Sequence, residues 1–194
     1  MKRIIAIILT CLTLCATALA EPGRGGSKGG SMDMLNEGIA YLNGDGVEQD
    51  YAQAMQIFQS AQEAGNKKAA RYIGLMFEQG LGVEQDYQAA AAWYENGVEA
   101  GDLTSGYYLG LLYKQGLGVD QDYAKATELF ASVAVSDNKS ATGVVAAGYE
   151  LGQLYEQGLG VEQDMEKALA LYEEAAGYGD EDAVAALERL RNLD

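Results

Sequence analysis

Four variants of one seven-residue stretch constrain this chain more than anything else in it: GDGVEQD from Gly44, GLGVEQD from Gly80, GLGVDQD from Gly116 and GLGVEQD from Gly158. Their first glycines stand 36, 36 and 42 residues apart. Self-similarity at a period of a few tens of residues is the signature of a stacked array, in which no unit buries its apolar face alone.

Each recurring position has a mechanical reading. The glycines at 44, 80, 116 and 158 stand where a helix would end in a left-handed residue, and the glycines two positions on let the connection turn sharply. Asp50, Asp86, Asp122 and Asp164 each precede a helical run and are placed to cap its exposed N–H groups. Val47, Val83, Val119 and Val161 are lone apolar residues in polar loops, which predicts that they plug into the core. An aromatic residue stands three places before each loop glycine (Tyr41, Phe77, Tyr113, Tyr155), and Glu37, Ile73, Leu109 and Leu151 share its helical face. Gly38, Gly74, Gly110 and Gly152 fall inside helices at a cost of about 1 kcal/mol each, so two helices are expected to press together there.

The chain is thereby read as four units, about 34–65, 66–101, 102–143 and 144–177, with a closing amphipathic helix at 180–193. The closing helix carries Ala183, Ala186, Leu187 and Leu190 on one face, as the end of a solenoid requires. Upstream, residues 1–20 pair Lys2 and Arg3 with an apolar run and end in Ala18-Leu19-Ala20. That pattern predicts a secretory signal peptide cut after Ala20, hence a periplasmic or secreted protein with no stable membrane insertion afterwards. Residues 21–31 are rich in glycine and serine and read as a flexible linker, with Ser31 as the N-cap of the first helix.

The pattern LG-xx-Y-xx-G-x-GV-xx-D, four times in register from Met34 onward, resembles the Sel-one-like repeat, a relative of the tetratricopeptide repeat. The resemblance implies an all-α fold, a right-handed superhelical solenoid of antiparallel helix pairs, and a role as an adaptor for other proteins. Exported bacterial members of that family are implicated in envelope regulation or host contact. The sequence departs from the pattern twice: Glu37 takes a leucine position, and unit three carries six extra residues around Ser136–Gly143, which must protrude or distort the stack.

Chemistry is hard to place. The chain has no histidine, and both cysteines, Cys11 and Cys15, lie in the predicted leader, which removes histidine-based triads, thiol nucleophiles and His/Cys zinc sites. Ser60, Ser105, Ser132 and Ser140 have no base at a meaningful spacing. Some cysteine-rich relatives are linked to penicillin binding and β-lactam hydrolysis, but their paired cysteines are missing here. A cell-wall accessory that binds or hydrolyses peptidoglycan or a β-lactam stays as the alternative, with the unit-three insertion as its place. Asn43-Gly44-Asp45-Gly46 superficially resembles the start of a calcium loop, and Gly179–Asp182 gathers carboxylates; a plain loop and a helix start account for them. No enzyme activity, cofactor or metal is therefore expected.

A binding surface is the stronger expectation. The stripe one, five and eight residues before each loop glycine reads Asn36, Ile39, Asn43; Tyr72, Leu75, Gln79; Tyr108, Leu111, Gln115; Glu150, Gln153, Gln157. Arg71, Tyr107 and Tyr149 adjoin it. The first helices should line the concave wall, and tyrosines combine apolar area with a polar tip, which suits recognition. The competing expectation is that Tyr72, Tyr107, Tyr108 and Tyr149 seal neighbouring units. The net charge of −16 opposes nucleic acid and favours a protein or peptide partner of basic character, bound by a monomer.

Overall fold

A computed structural model describes residues 28–138 and 143–192. The predicted leader, most of the Gly/Ser linker and residues 139–142 of the insertion lie outside the described residues. Nine helices and no strand occur among the described residues: α1 (Lys28–Asn43), α2 (Tyr51–Glu63), α3 (Ala69–Gln79), α4 (Tyr87–Glu99), α5 (Leu103–Gln115), α6 (Tyr123–Ala134), α7 (Val144–Gln157), α8 (Met165–Gly177) and α9 (Glu181–Arg191). They pack as successive antiparallel pairs, α1 with α2, α3 with α4, α5 with α6 and α7 with α8, and each pair leans on the next. The architecture is an all-α solenoid.

The repeated loop closes each pair with the same hydrogen bonds. Its first glycine adopts the left-handed conformation that ends the first helix, with φ of 78°, 69°, 70° and 68° at Gly44, Gly80, Gly116 and Gly158. Its aspartate is extended and its carboxylate accepts from the first turn of the second helix, as Asp50 does from the Gln53 N–H at 2.9 Å and Asp164 from the Lys167 N–H at 3.0 Å. The N–H of each aspartate donates back to the aromatic residue of the first helix: Asp50 to Tyr41, Asp86 to Phe77, Asp122 to Tyr113 and Asp164 to Tyr155. The loop glutamine completes the set. Gln49, Gln85, Gln121 and Gln163 donate through Nε2 to the carbonyls of Leu42, Glu78, Lys114 and Glu156 at 2.7–2.9 Å, satisfying acceptors that a helix end leaves open.

The helical glycines explain the pairing. A Cβ built on Gly38, Gly74, Gly110 or Gly152 would stand 2.5–2.7 Å from the ring of Phe58, Tyr94, Phe130 or Tyr172 respectively. These four rings, all fully buried, therefore press close against the backbone of the first helix in their own unit, and they are the largest fully buried side chains of the core. The second loop glycine joins one unit to the next. A Cβ on Gly118 would stand 2.2 Å from the Tyr87 carbonyl carbon, and one on Gly160 would stand 2.3 Å from that of Tyr123. Gly46, in the first unit, has no preceding second helix among the described residues, and a Cβ there would meet nothing within 4 Å.

Two sequence expectations are corrected. The loop valines do not plug the core: Val47 is 38% exposed and the other three are half-exposed, although Val119 does touch a core cluster. The residue between the two left-handed glycines turns inward instead, so Leu81, Leu117 and Leu159 pack against the core. Ser31 caps nothing, because α1 already begins at Lys28; its carbonyl accepts from Asn66 Nδ2 at 2.9 Å across to the next unit. Glu37 is exposed on α1, which no preceding helix covers among the described residues. The closing helix behaves as its pattern indicates: Ala183 and Ala186 are buried and Leu187 and Leu190 pack beside them on α8.

Candidate partner-binding face

The first helices of consecutive units touch, α3 with α5 and α5 with α7, whereas the second helices α2, α4 and α6 make no comparable contact with one another. The stack thus turns inward on its first helices, which carry the predicted stripe. The geometry separates the stripe into two chemical groups.

The aromatic members make packing contacts and stay half-buried. Tyr72 stacks on Phe58 of the preceding unit with ring centroids 5.0 Å apart and planes at 16°. Tyr108 stacks on Tyr94 at 5.3 Å and 17°. Both rings seal one unit to the next, and the Arg71 guanidinium covers Tyr72 at 4.9 Å. Tyr107 and Tyr149 lie instead on aromatics of their own unit, Phe130 at 6.1 Å and Tyr172 at 5.6 Å. Burial pushes the Tyr107 phenol up to about 12, with the nearby Glu150 carboxylate adding to it, and raises those of Tyr108 and Tyr149 as well. These phenols stay neutral and act as hydrogen-bonding tips at physiological pH.

The remaining members divide into open and engaged positions. Gln79, Gln115 and Gln157, the last residues of α3, α5 and α7, are exposed, and Leu75 and Leu111 one turn earlier are half-exposed. In unit four the stripe is clamped. Lys114 Nζ donates to Glu150 Oε2 at 2.5 Å and to Gln153 Oε1 at 2.7 Å, tying α5 to α7. Gln153 Nε2 in turn donates to the Tyr149 hydroxyl at 2.7 Å. Glu150 and Gln153 are therefore engaged within the fold. Sequence reasoning missed the clamp because Lys114 lies off the stripe; the signal was a lysine in unit three where units two and four carry Glu78 and Glu156. In unit one, Asn36 and Asn43 are exposed and Ile39 packs on the core.

Several of the places considered for chemistry are occupied structurally, while Ser140 lies outside the described residues. Ser105 is fully buried and donates to Asp102 Oδ2 at 2.8 Å, in a cluster that Arg71 approaches at 3.5 Å. Asn43 Nδ2 donates to Asp45 at 3.1 Å within its turn, and Asp180 caps α9 by accepting from the Ala183 N–H at 2.8 Å. Beside the unit-three insertion, α6, α7 and α8 enclose a shallow depression lined mainly by Ala134, Val144, Val145, Gly148 and Leu171, with Glu174 its only acidic group among the described residues. That lining gathers no acid–base pair.

Repeated helix pairs closed by left-handed glycine loops define a protein of the helical-solenoid class. The Sel1 repeat matches residues 34–66, 67–102, 107–133 and 145–177, and the chain belongs to the Sel1 repeat family. Among solved structures it is similar to a Sel1 repeat protein from Oxalobacter formigenes, with 32% identity and a TM-score of 0.69 over 79% of this chain and 60% of that one. It is also similar to a protective antigen with an SLR fold present in uropathogenic Escherichia coli, with 29% identity and a TM-score of 0.69 over 79% of this chain and 32% of that one. The chain thus spans less than two thirds of either. No curated protein matches it. Sel1 repeats typically serve as non-catalytic scaffolds for protein–protein interaction.

Proposed function

We propose that this protein is an exported adaptor, without catalytic activity of its own, that binds a protein or peptide along the inner face formed by α3, α5 and α7. One observation carries the reading: the inner stripe keeps exposed amides and half-exposed leucines that the packing of the units does not consume. The tyrosines hold that stripe in register from beneath. The net charge of −16 supports a basic partner and an association that weakens as salt rises, since exposed charges are screened beyond about 10 Å at 0.1 M salt. The leader-like residues 1–20 support export, and no described helix is long and apolar enough to cross a membrane.

The test is a capture from envelope, secreted and wall fractions with residues 21–194 as bait, followed by reconstitution with each purified partner. An adaptor binds a purified partner with an affinity that falls between 50 and 500 mM salt (roughly the range over which surface charges are screened) and that substitution of Gln79, Gln115 and Gln157 by alanine lowers. Binding that ignores both changes rejects the inner face.

A further inference from the structure

Gly106 in α5 and Gly148 in α7 hold the same place in their units, four residues before the helical glycine that meets the buried ring. Around Gly106 the space is filled. A Cβ built there would stand 2.9 Å from Cγ2 of Val133 on α6 and 3.8 Å from Cγ2 of Val98 on α4. Around Gly148 the residues at those two places are Ala175 on α8 and Ala134 on α6, and a Cβ would meet nothing within 4 Å. The capping aspartates fix the equivalence. Val133 and Ala175 stand eleven residues after Asp122 and Asp164, and Val98 and Ala134 stand twelve after Asp86 and Asp122. Two alanines in place of two valines remove four carbon atoms, and the shallow depression between α6, α7 and α8 lies where they are missing. Its rim is apolar and open: Tyr178, which lines it, is 59% exposed, and Val135, beside Ala134, is 78% exposed.

We propose that this notch is a docking site independent of the inner stripe, which takes one aliphatic side chain of a protein segment flanked by lysine or arginine. Four carbons make up the side chain of a leucine or an isoleucine. One such group restores the contact that the valines make around Gly106, and its removal from water favours the complex. The charge around the notch selects the flanks. Every charged residue among 134–138, 144–148 and 171–182 is acidic: Asp137, Glu173, Glu174, Asp180, Glu181 and Asp182. Lys139, the nearest cation in the sequence, lies outside the described residues. Asp180 and Asp182 stand near enough to act on the phenol of Tyr149, the residue after Gly148. The exposed ring of Tyr178 offers a face on which a cation can rest. A second copy of this chain, with its net charge of −16, would bring like charge to that rim, so a basic partner is favoured over self-association.

The probe is a set of end-blocked peptides, Gly-Lys-Ser-Xaa-Ser-Lys-Gly, with glycine, alanine or leucine at the centre. They are titrated into the isotope-labelled protein and followed by amide chemical shifts. The leucine peptide should shift Val145, Gly148 and Leu171 to saturation and bind about fivefold or more tighter than the alanine peptide. Glutamates in place of its lysines should weaken it by a similar factor, and so should added salt. Ala134→Val/Ala175→Val, which recreates the filling around Gly106, should abolish those shifts without lowering the melting temperature. Gly148→Ala, whose added carbon meets nothing within 4 Å, should weaken binding too, and it decides the matter if the valine pair disturbs the fold. Gln79→Ala/Gln115→Ala/Gln157→Ala should bind the leucine peptide in full. No shift at those three residues, equal affinity for the leucine and glycine peptides, or binding that both filled variants keep would overturn the notch as a side-chain site. Shifts there that grow with protein concentration in the absence of peptide would give it to a second copy. Peptide binding that appears only when residues 139–142 are replaced by glycine and serine would give it to the chain itself, and either result overturns the proposal.

Discussion

Tyr172 on α8 donates its phenolic hydrogen to Glu156 Oε2 on α7 at 2.7 Å, and Arg189 of the closing helix binds the same oxygen at 2.7 Å. Tyr94 and Glu78 form the same pair in unit two. Where the second helix carries phenylalanine instead, at Phe58 and Phe130, the partner position holds Leu42 or Lys114. The two positions change together from unit to unit, as a buried hydroxyl and a nearby carboxylate must if neither is to lose its partner.

That coupling is measurable in unit two. Tyr94→Phe and Glu78→Leu should each destabilise the protein by about 1–2 kcal/mol in urea unfolding, because each leaves one buried polar partner unmatched. The double variant recreates the Phe58/Leu42 pair of unit one and should cost about 0.5–1 kcal/mol less than the sum of the singles. Strict additivity would show that the pair contributes nothing.

Two helical glycines should respond in opposite senses to alanine. A Cβ at Gly110 would meet the Phe130 ring at 2.6 Å, and that ring is fully buried, so Gly110→Ala should destabilise by about 1–3 kcal/mol despite the better helix propensity. Gly148 in α7 has nothing within 4 Å of such a Cβ, so Gly148→Ala should stabilise by up to about 1 kcal/mol. Thermal denaturation of both variants decides it, and equal effects would refute the ring-on-glycine account.

The protein should lose stability in alkali. Burial and the neighbouring carboxylates Glu78 and Glu156 raise the phenols of Tyr94 and Tyr172 far above their ordinary value of 10.0. A phenol held neutral in the fold but free to ionise in the unfolded chain binds its proton more tightly when native. Its stabilising contribution is complete below pH 10.0 and drains away as pH rises past it toward the raised native value. Unfolding free energies measured from pH 8 to 11 should fall above about 10, and Tyr94→Phe/Tyr172→Phe should flatten that fall. An unchanged slope in the double variant would place the alkaline sensitivity elsewhere.

The fold was legible because its determinants are local and repeated. A left-handed glycine, an aspartate cap and a helical glycine mean the same thing in four registers, so Gly80, Asp86 and Gly74 could be read from spacing alone. The loop valines misled because a single apolar residue in a polar stretch does not reveal its direction; the left-handed glycines on either side of Leu81 do, but only once the backbone path is known. The inner stripe was legible as a line of positions and not as a sorting of them. Whether Tyr72 faces a partner or Phe58 depends on how far one unit is rotated against the next, and no local pattern encodes that angle. The idle amides at Gln79, Gln115 and Gln157 were in view throughout, but only the hydrogen bonds of their loop counterparts set them apart.

The most direct measurement compares two surface variants for affinity toward one purified partner at fixed salt. One replaces Gln79, Gln115 and Gln157 with alanine on the inner face; the other replaces Glu63, Glu128 and Glu173 with glutamine on the exposed sides of α2, α6 and α8. The inner variant should lose at least tenfold, about 1.4 kcal/mol of binding, while the outer variant loses little beyond its share of the screened charge. Full affinity in the inner variant together with a tenfold loss in the outer one would contradict the account and move the partner to the second helices.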